Sequence, residues 1–505
     1  IRKTHGNVEE IIVNDKLSRL AIKDIISQVK GTDLVIISML IRIKMDKGIS
    51  TINETHSQLI AKINKLGVPI LGVSFGSPYL PNYNNIDSYL CAYGYGSISL
   101  NATANAIFGR IDINGKLPVS LNENYKRNHG ISINKISDSF NERLNVKLQS
   151  FNFIKEAIND SIFPGAQIFV SIGDKVLANR GFGTLDYESN SEKVTNNTIY
   201  DVASLTKVLS TTPVFMKFVE KKRLNLNYLL SDFYLGYNSV DKKNITIRNL
   251  LTHTSGLKGY IEYYNYKDFN RKKIIDDIVN QSLYYAPNSK TIYSDLGIIL
   301  LFDIIEKTTG STLDYLSNKY FYEPLGMKNT FFNPSNEFIK YIAPTENDQY
   351  FRYKLLRGIV HDENAYLLGG VSGHAGLFST AEDIGVYCKM LINDGHSLGK
   401  RYFSKDIIKE FTTRQNITRG SDYAIGWDTP SRNGKSSAGD YFSDSSFGHL
   451  GFTGTSMWVD PEKKIIVILL ANRVYPNRNK ENINKRMYSF RRNFHNSLMK
   501  EISNF

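Results

Sequence analysis

Ser204 and Lys207 stand three residues apart in Ala203-Ser204-Leu205-Thr206-Lys207, at the front of an apolar run, 208–219. On a helix such positions share a face, so hydroxyl and amine can meet. A serine alone is a weak nucleophile. An amine beside it, its pKa lowered by burial, can take the hydroxyl proton. A helix N-terminus also offers N–H groups to a developing oxyanion. The tetrad by itself is not specific: an N-cap serine followed by a solvated lysine is written with the same letters. Two further blocks add to it. Tyr293-Ser294-Asp295 opens the apolar run 296–305. A phenol beside Lys207, kept partly ionised, would share the proton transfer. Later comes Phe447-Gly448-His449-Leu450-Gly451-Phe452. Glycine at 451 lets a ligand approach a strand edge closely. The Phe452 N–H would then join that of Ser204 as an oxyanion hole.

These residues need elements to hold them. Leu148, Phe151, Ile154 and Ile158 mark an amphipathic helix that Pro164-Gly165 ends. Residues 166–172 and 175–181, joined at Gly173-Asp174, read as a β-hairpin. Pro213 should kink or disrupt the helix that starts at Ser204. Residues 245–257 read as a short helix ending at Gly256, with His253 a structural hydrogen-bonding residue. Runs 457–459 and 464–470 read as core strands around the Asp460-Pro461 turn.

The first part of the chain has a different rhythm. Short apolar runs at 33–39, 68–75 and 86–93 alternate with helical spacing at 55–66 and small residues at 99–108. That order argues a parallel sheet flanked by helices. Gly76 and Gly94 fall at strand ends, where they read as tight turns. Residues 126–147 are polar and lack periodicity, so they read as a linker. The expected domains are therefore 1–125 and 148–505.

Composition sets bounds. The net charge is +13, part of it late, in Arg473, Arg478, Lys480, Lys485, Arg486, Arg491 and Arg492. A basic surface suits an acidic small substrate, and no nucleic-acid module accompanies it. Two cysteines, Cys91 and Cys388, give neither a disulfide framework nor a metal site. No metal or cofactor is expected. The longest apolar run, 34–41, is too short to span a bilayer. The chain opens at Ile1, inside what reads as a domain, so an upstream segment or signal peptide is expected.

Two resemblances carry these readings further. Ser-x-x-Lys, Tyr-x-Asp and His-x-Gly, in that order, resemble the serine β-lactamase and penicillin-binding-protein superfamily, especially its class C-like branch. The connecting text, LLTHTSGL, YSDLGIILLFDIIEKTTG and PLGM, agrees. The resemblance implies an α+β domain, an antiparallel sheet beside a helical lobe, with Ser204 at their junction. It implies that Ser204 is acylated, Lys207 accepts its proton, and Tyr293 serves the leaving group and water. Asp295 stands where that branch usually has asparagine, and His449 where β-lactamases have lysine. Val73-Ser74-Phe75-Gly76-Ser77-Pro78-Tyr79, Ala92-Tyr93-Gly94 and Gly115-Lys116-Leu117-Pro118-Val119 resemble the second, α/β sandwich domain of family 3 glycoside hydrolases. Their catalytic barrel is not written in these residues, so no glycosidase activity is expected.

The block Val360-His361-Asp362-Glu363-Asn364-Ala365 with Gly369–Phe378 reads as a cleft-lining loop or as an ordinary polar loop with structural histidines. It resembles the serine-type N-acetylmuramoyl-L-alanine amidases of the same superfamily. His361, Asp362, Glu363 and Asn364 are then expected to join Asp295, His449, Gly451 and Phe452 around a muropeptide or other small acyl substrate. The alternatives are an esterase, a D-alanyl peptidase, a weak β-lactamase, or a non-catalytic binder of wall fragments. The resemblance implies an extracytoplasmic setting.

Overall fold

The structure is a computed structural model that describes residues 8–14, 17–43, 51–109, 111–133, 142–144 and 146–502. The chain forms two compact units, one of residues 1–137 with 398–400, the other of 138–397 with 401–505.

In the first unit, strands Val35–Ile41, Ile70–Gly76 and Ser88–Cys91 form a parallel sheet in that order. Helices Arg19–Val29 and Glu54–Asn64 precede the first and second strands, among the described residues no helix separates the second from the third, and Ser97–Ile107 follows the third. Ser18 and Asn53 cap the first two by accepting N–H groups of the opening turns. Ile22, Ile25, Leu59, Ile63 and Ile70 form one of its apolar clusters. Gly76 lies at φ 93°, and a Cβ there would meet the Ile41 carbonyl oxygen at 2.4 Å. Its smallness thus serves the close approach of two chain segments.

The second unit is built on a six-stranded sheet. Its order is Phe447–Leu450, Ser456–Asp460, Ile465–Ala471, Gly165–Ile172, Lys175–Gly183, Glu142–Arg143. All neighbours are antiparallel except the last pair. Residues 142–143, expected in a linker, thus pair with the sheet edge; residues 134–141 and 145 of that stretch lie outside the described residues. The strand Ile465–Ala471 is apolar throughout because both its faces are covered. Ile466, Ile468 and Leu470 enter the core shared with the helical lobe. Ile465, Val467, Leu469 and Ala471 point the other way, into the core beneath helices Phe151–Asn159 and Ile483–Ile502. Period two therefore divides one strand between two cores.

The helical lobe centres on Asp295–Thr309, whose residues Leu296–Ile305 are all buried. Ser294 caps it by accepting the Gly297 N–H at 3.2 Å, and Gly310 ends it at φ 67°. The helix expected over 245–257 spans only Ile247–Leu251. His253 at φ 57° ends it well before Gly256.

The position of Ile468 generates a stability test. It is fully buried on a strand paired on both sides. Ile468→Ala should cost about 2–5 kcal/mol, read as a lower urea midpoint of the second unit with unchanged slope.

Candidate active site

Ser204 is not on an α-helix. It sits in the 3₁₀ turn Ala203–Leu205; a π-turn, Lys207–Thr211, follows, and the α-helix begins only at Thr212. Pro213 falls in that helix's first turn, where its missing N–H costs nothing. The expected kink is thus a change of helix type. Ala203 holds φ 48°, a strained value for alanine. Asp201 maintains it by accepting the Ala203 N–H at 2.8 Å. The other Asp201 oxygen accepts the His361 N–H at 2.7 Å.

Lys207 is buried and meets three acceptors. Its Nζ donates to Ser204 Oγ at 2.9 Å and to the His374 carbonyl at 3.0 Å. Asp295 Oδ1 lies 2.7 Å away in an ion pair. Burial lowers the Lys207 pKa below its ordinary value, and Asp295 opposes that shift without cancelling it. The carboxylate expected at the substrate is therefore aimed at the lysine instead.

Tyr293 lies on the other side of the hydroxyl. Lys207 Nζ is 4.9 Å from the centre of its ring, and the phenol shares a hydrogen bond with Ser204. Burial first, then Asp295, raises the Tyr293 pKa well above its usual value. The expectation of a partly ionised phenol is corrected: at rest Tyr293 is a neutral proton donor. His253 packs against it with ring centres 4.7 Å apart. Its Nδ1 accepts the Ser294 N–H at 3.2 Å, so the histidine fixes the start of the Asp295 helix.

His449 approaches from the sheet, its ring centre 5.9 Å from that of Tyr293. Its Nδ1 donates to the Leu450 carbonyl at 2.7 Å, which leaves Nε2 without a proton. Burial and then Lys207 push its pKa down to about 3. It is a neutral acceptor at physiological pH. Beyond it the chain turns through 451–455. Thr453 and Thr455 staple that turn to the Asp201 and Val202 carbonyls at 2.8 and 2.9 Å. A Cβ on Gly451 would meet Thr455 Oγ1 at 1.9 Å and the Val202 carbonyl at 2.6 Å. Among the described residues, neither the Ser204 nor the Phe452 N–H donates to another group. Two donors are thus free on segments stapled together.

The 361–364 block is not a loop. Asp362 caps the helix Glu363–Leu367 by accepting the Ala365 N–H at 2.8 Å. Its side chains are committed inside the protein. His361 Nε2 lies 2.9 Å from Glu346, and Glu363 accepts Arg478 at 2.7 Å and Tyr350. Asn364 donates to the Ile261 carbonyl at 2.9 Å. Burial raises the Asp362 pKa, but His374, 2.8 Å away, overcomes it and holds the carboxyl low. Only Asp362 reaches the lysine's surroundings, through the His374 ring. The sequence reading singled out neither His374 nor Asp201. His374 reaches Lys207 with a backbone oxygen, which side-chain identity cannot signal; the glycines at 373 and 376 were the visible sign.

A serine held between a buried amine and a neutral phenol, at the junction of an antiparallel sheet and a helical lobe, defines a class of serine hydrolases. Comparison with known proteins agrees. The Beta-lactamase family model matches residues 152–490. A putative D-alanyl-D-alanine carboxypeptidase of Escherichia coli O157:H7 is 31% identical, over 66% of this chain and 82% of that protein. An N-acetylmuramyl-L-alanine amidase of Bacillus subtilis strain 168 is also 31% identical, over 62% of this chain and 77% of that protein. The octameric penicillin-binding protein homologue from Pyrococcus abyssi has a TM-score of 0.52 at 25% identity, over 68% and 76%. A class C β-lactamase from Rhodobacter sphaeroides shares the fold, with a TM-score of 0.55 at 17% identity, over 70% of this chain and 99% of that one. The chain belongs to the β-lactamase family and is a serine hydrolase.

The Asp295 contact yields a titration test. Asp295 raises the Lys207 pKa, so Asp295→Asn should lower it further, read by NMR of lysine Cε against pH. Because Lys207 titrates lower in the folded than in the unfolded chain, the unfolded chain binds more protons between those two values. Stability from this group therefore falls as pH drops from about 10.5 towards the folded value, and the variant should carry that loss to lower pH. An unchanged Lys207 titration would contradict the pairing.

Proposed function

We propose that the second unit cleaves the amide between a muramic acid lactyl group and L-alanine, through an acyl-enzyme on Ser204. Neutral Lys207 takes the Ser204 proton as Oγ attacks the carbonyl carbon. The oxyanion is held by the N–H groups of Ser204 and Phe452. Tyr293 gives its proton to the departing amine nitrogen and is reprotonated from Lys207. Water then enters along the same route: it loses a proton to the pair and attacks the acyl carbon, and Ser204 leaves as the alcohol.

The observation that carries the choice of substrate is the neutrality of His449. Penicillins and D-alanyl peptides present a carboxylate close to the scissile amide. His449, at the place where β-lactamases have lysine, has no charge to offer one. The muramoyl–L-alanine bond lies inside a longer chain and presents no such carboxylate. The basic balance of the chain suits the acidic peptide beyond it. The 31% identity to the Bacillus amidase supports the same reading. A second reading, D-alanyl peptidase action, rests on equal identity to the Escherichia coli relative. The first unit is read as a family 3 glycoside hydrolase second domain, a reading supported by its parallel sheet and by the close approach at Gly76. That reading gives this chain no glycosidase activity of its own, and it places the amidase after an upstream step that strips N-acetylglucosamine and leaves muramoyl-peptide.

Mass spectrometry of an N-acetylmuramoyl-peptide digest tests this. Free N-acetylmuramic acid and intact peptide are expected; D-alanine release, or turnover of nitrocefin with the muramoyl-peptide untouched, would overturn it. Ser204→Ala should lose on the order of 10⁴-fold in kcat with its fold retained.

A further inference from the structure

The helix Ile483–Ile502 covers the far face of the sheet, yet one of its side chains reaches through to the 451–455 turn. Arg491 Nη2 donates to the Gly451 carbonyl at 3.2 Å and to the Thr455 carbonyl at 2.7 Å. The Gly451 oxygen and the Phe452 N–H are opposite ends of one planar peptide unit. Whatever holds that oxygen therefore aims that N–H.

We infer that Arg491 is a positioning residue for catalysis: it fixes and polarises the Gly451–Phe452 peptide, making the Phe452 N–H a stronger donor to the oxyanion formed at Ser204. This rests on the assignment of Ser204 and Phe452 made above. Four observations carry it. Arg491 is buried, with 7% of its surface exposed, and among the described residues no carboxylate pairs with it. Its Nε is buried without an acceptor, so its charge is not spent on other partners. A buried cation without a counter-ion is costly, and a structure that only needed to close this turn would use a neutral donor. The turn already has other closures, the Gly451 N–H to the Thr455 carbonyl at 2.8 Å and the two threonine staples. Finally, a second cation acts on the same residue. The Arg473 guanidinium carbon lies 4.6 Å from the centre of the Phe452 ring, and the Arg473 backbone N–H donates to the Thr453 carbonyl at 2.8 Å. Burial and Arg473 bring the Arg491 pKa down to about 9, which leaves it charged at neutral pH. A charge-assisted bond to a carbonyl pulls electron density along the amide and strengthens the N–H opposite.

The full chain, with a short-chain nitrophenyl ester and a fluorophosphonate as probes, tests this. Arg491→Met should lower kcat and the labelling rate about 10- to 100-fold, less than the loss of a whole oxyanion donor, with KM held within about twofold. Arg491→Lys should keep part of the rate. In Arg491→Ala, millimolar guanidinium should restore activity, while urea, its neutral isostere, should not. Equal rescue by both compounds, or a kcat in folded Arg491→Met equal to that of the parent, would overturn the inference. If Arg491→Met does not fold, the Arg491→Ala rescue decides alone. A parent protein that the fluorophosphonate does not label would instead defeat the Ser204 assignment itself.

Discussion

The site depends on keeping a lysine amine inside the protein. Lys207 has 1% of its side chain exposed, and burial lowers its pKa. The Asp295 carboxylate opposes that shift, and the Ser204 hydroxyl and the His374 carbonyl accept from the same nitrogen. The result is a lysine whose pKa is lowered but whose charge still has company. That balance is what a proton shuttle needs, since it must both take and return a proton. Breaking a buried pair of this kind costs about 3–5 kcal/mol, so the surroundings cannot drift freely.

Much of the local architecture follows from it. The chain changes from 3₁₀ to π to α geometry within ten residues, which brings Ser204 and Lys207 together on one side. Asp201 holds Ala203 in its strained conformation and also tethers His361. His253 fixes the entry of the Asp295 helix and packs against Tyr293. None of these supporting groups need touch a substrate. They determine where Ser204, Lys207 and Tyr293 stand, which is the larger part of what a preorganised site must do.

Several residues read as substrate contacts turn out to be internal. Glu363, His361 and Glu346 share Arg478 in one buried network, so their types serve folding of the 346–363 region. Their polarity in the sequence was real, but polarity does not say whether a partner is a ligand or another side chain. Asp295 is the opposite case. It stands where the resembling branch usually has asparagine, and it was expected among the residues around the substrate. In the folded chain it is a counter-charge for Lys207, and the change has a local physical meaning.

The sequence determined many of the elements and pointed to Ser204, Lys207 and Tyr293, because apolar period and residue spacing are local properties. The hairpin 165–183, the strands ending at Asp460 and Ala471, and the helix opened by Tyr293-Ser294-Asp295 could all be read from them. Protonation could not. Whether Tyr293 is phenol or phenolate, and whether His449 carries charge, depends on how completely neighbours far along the chain exclude water. Backbone partners were equally hidden, since the His374 and Gly451 carbonyls belong to every residue type alike. Only the tertiary structure brought Asp295 and the His374 carbonyl to Lys207, and Arg491 to the Gly451 carbonyl, because burial and backbone direction are properties of the packed chain and not of its letters.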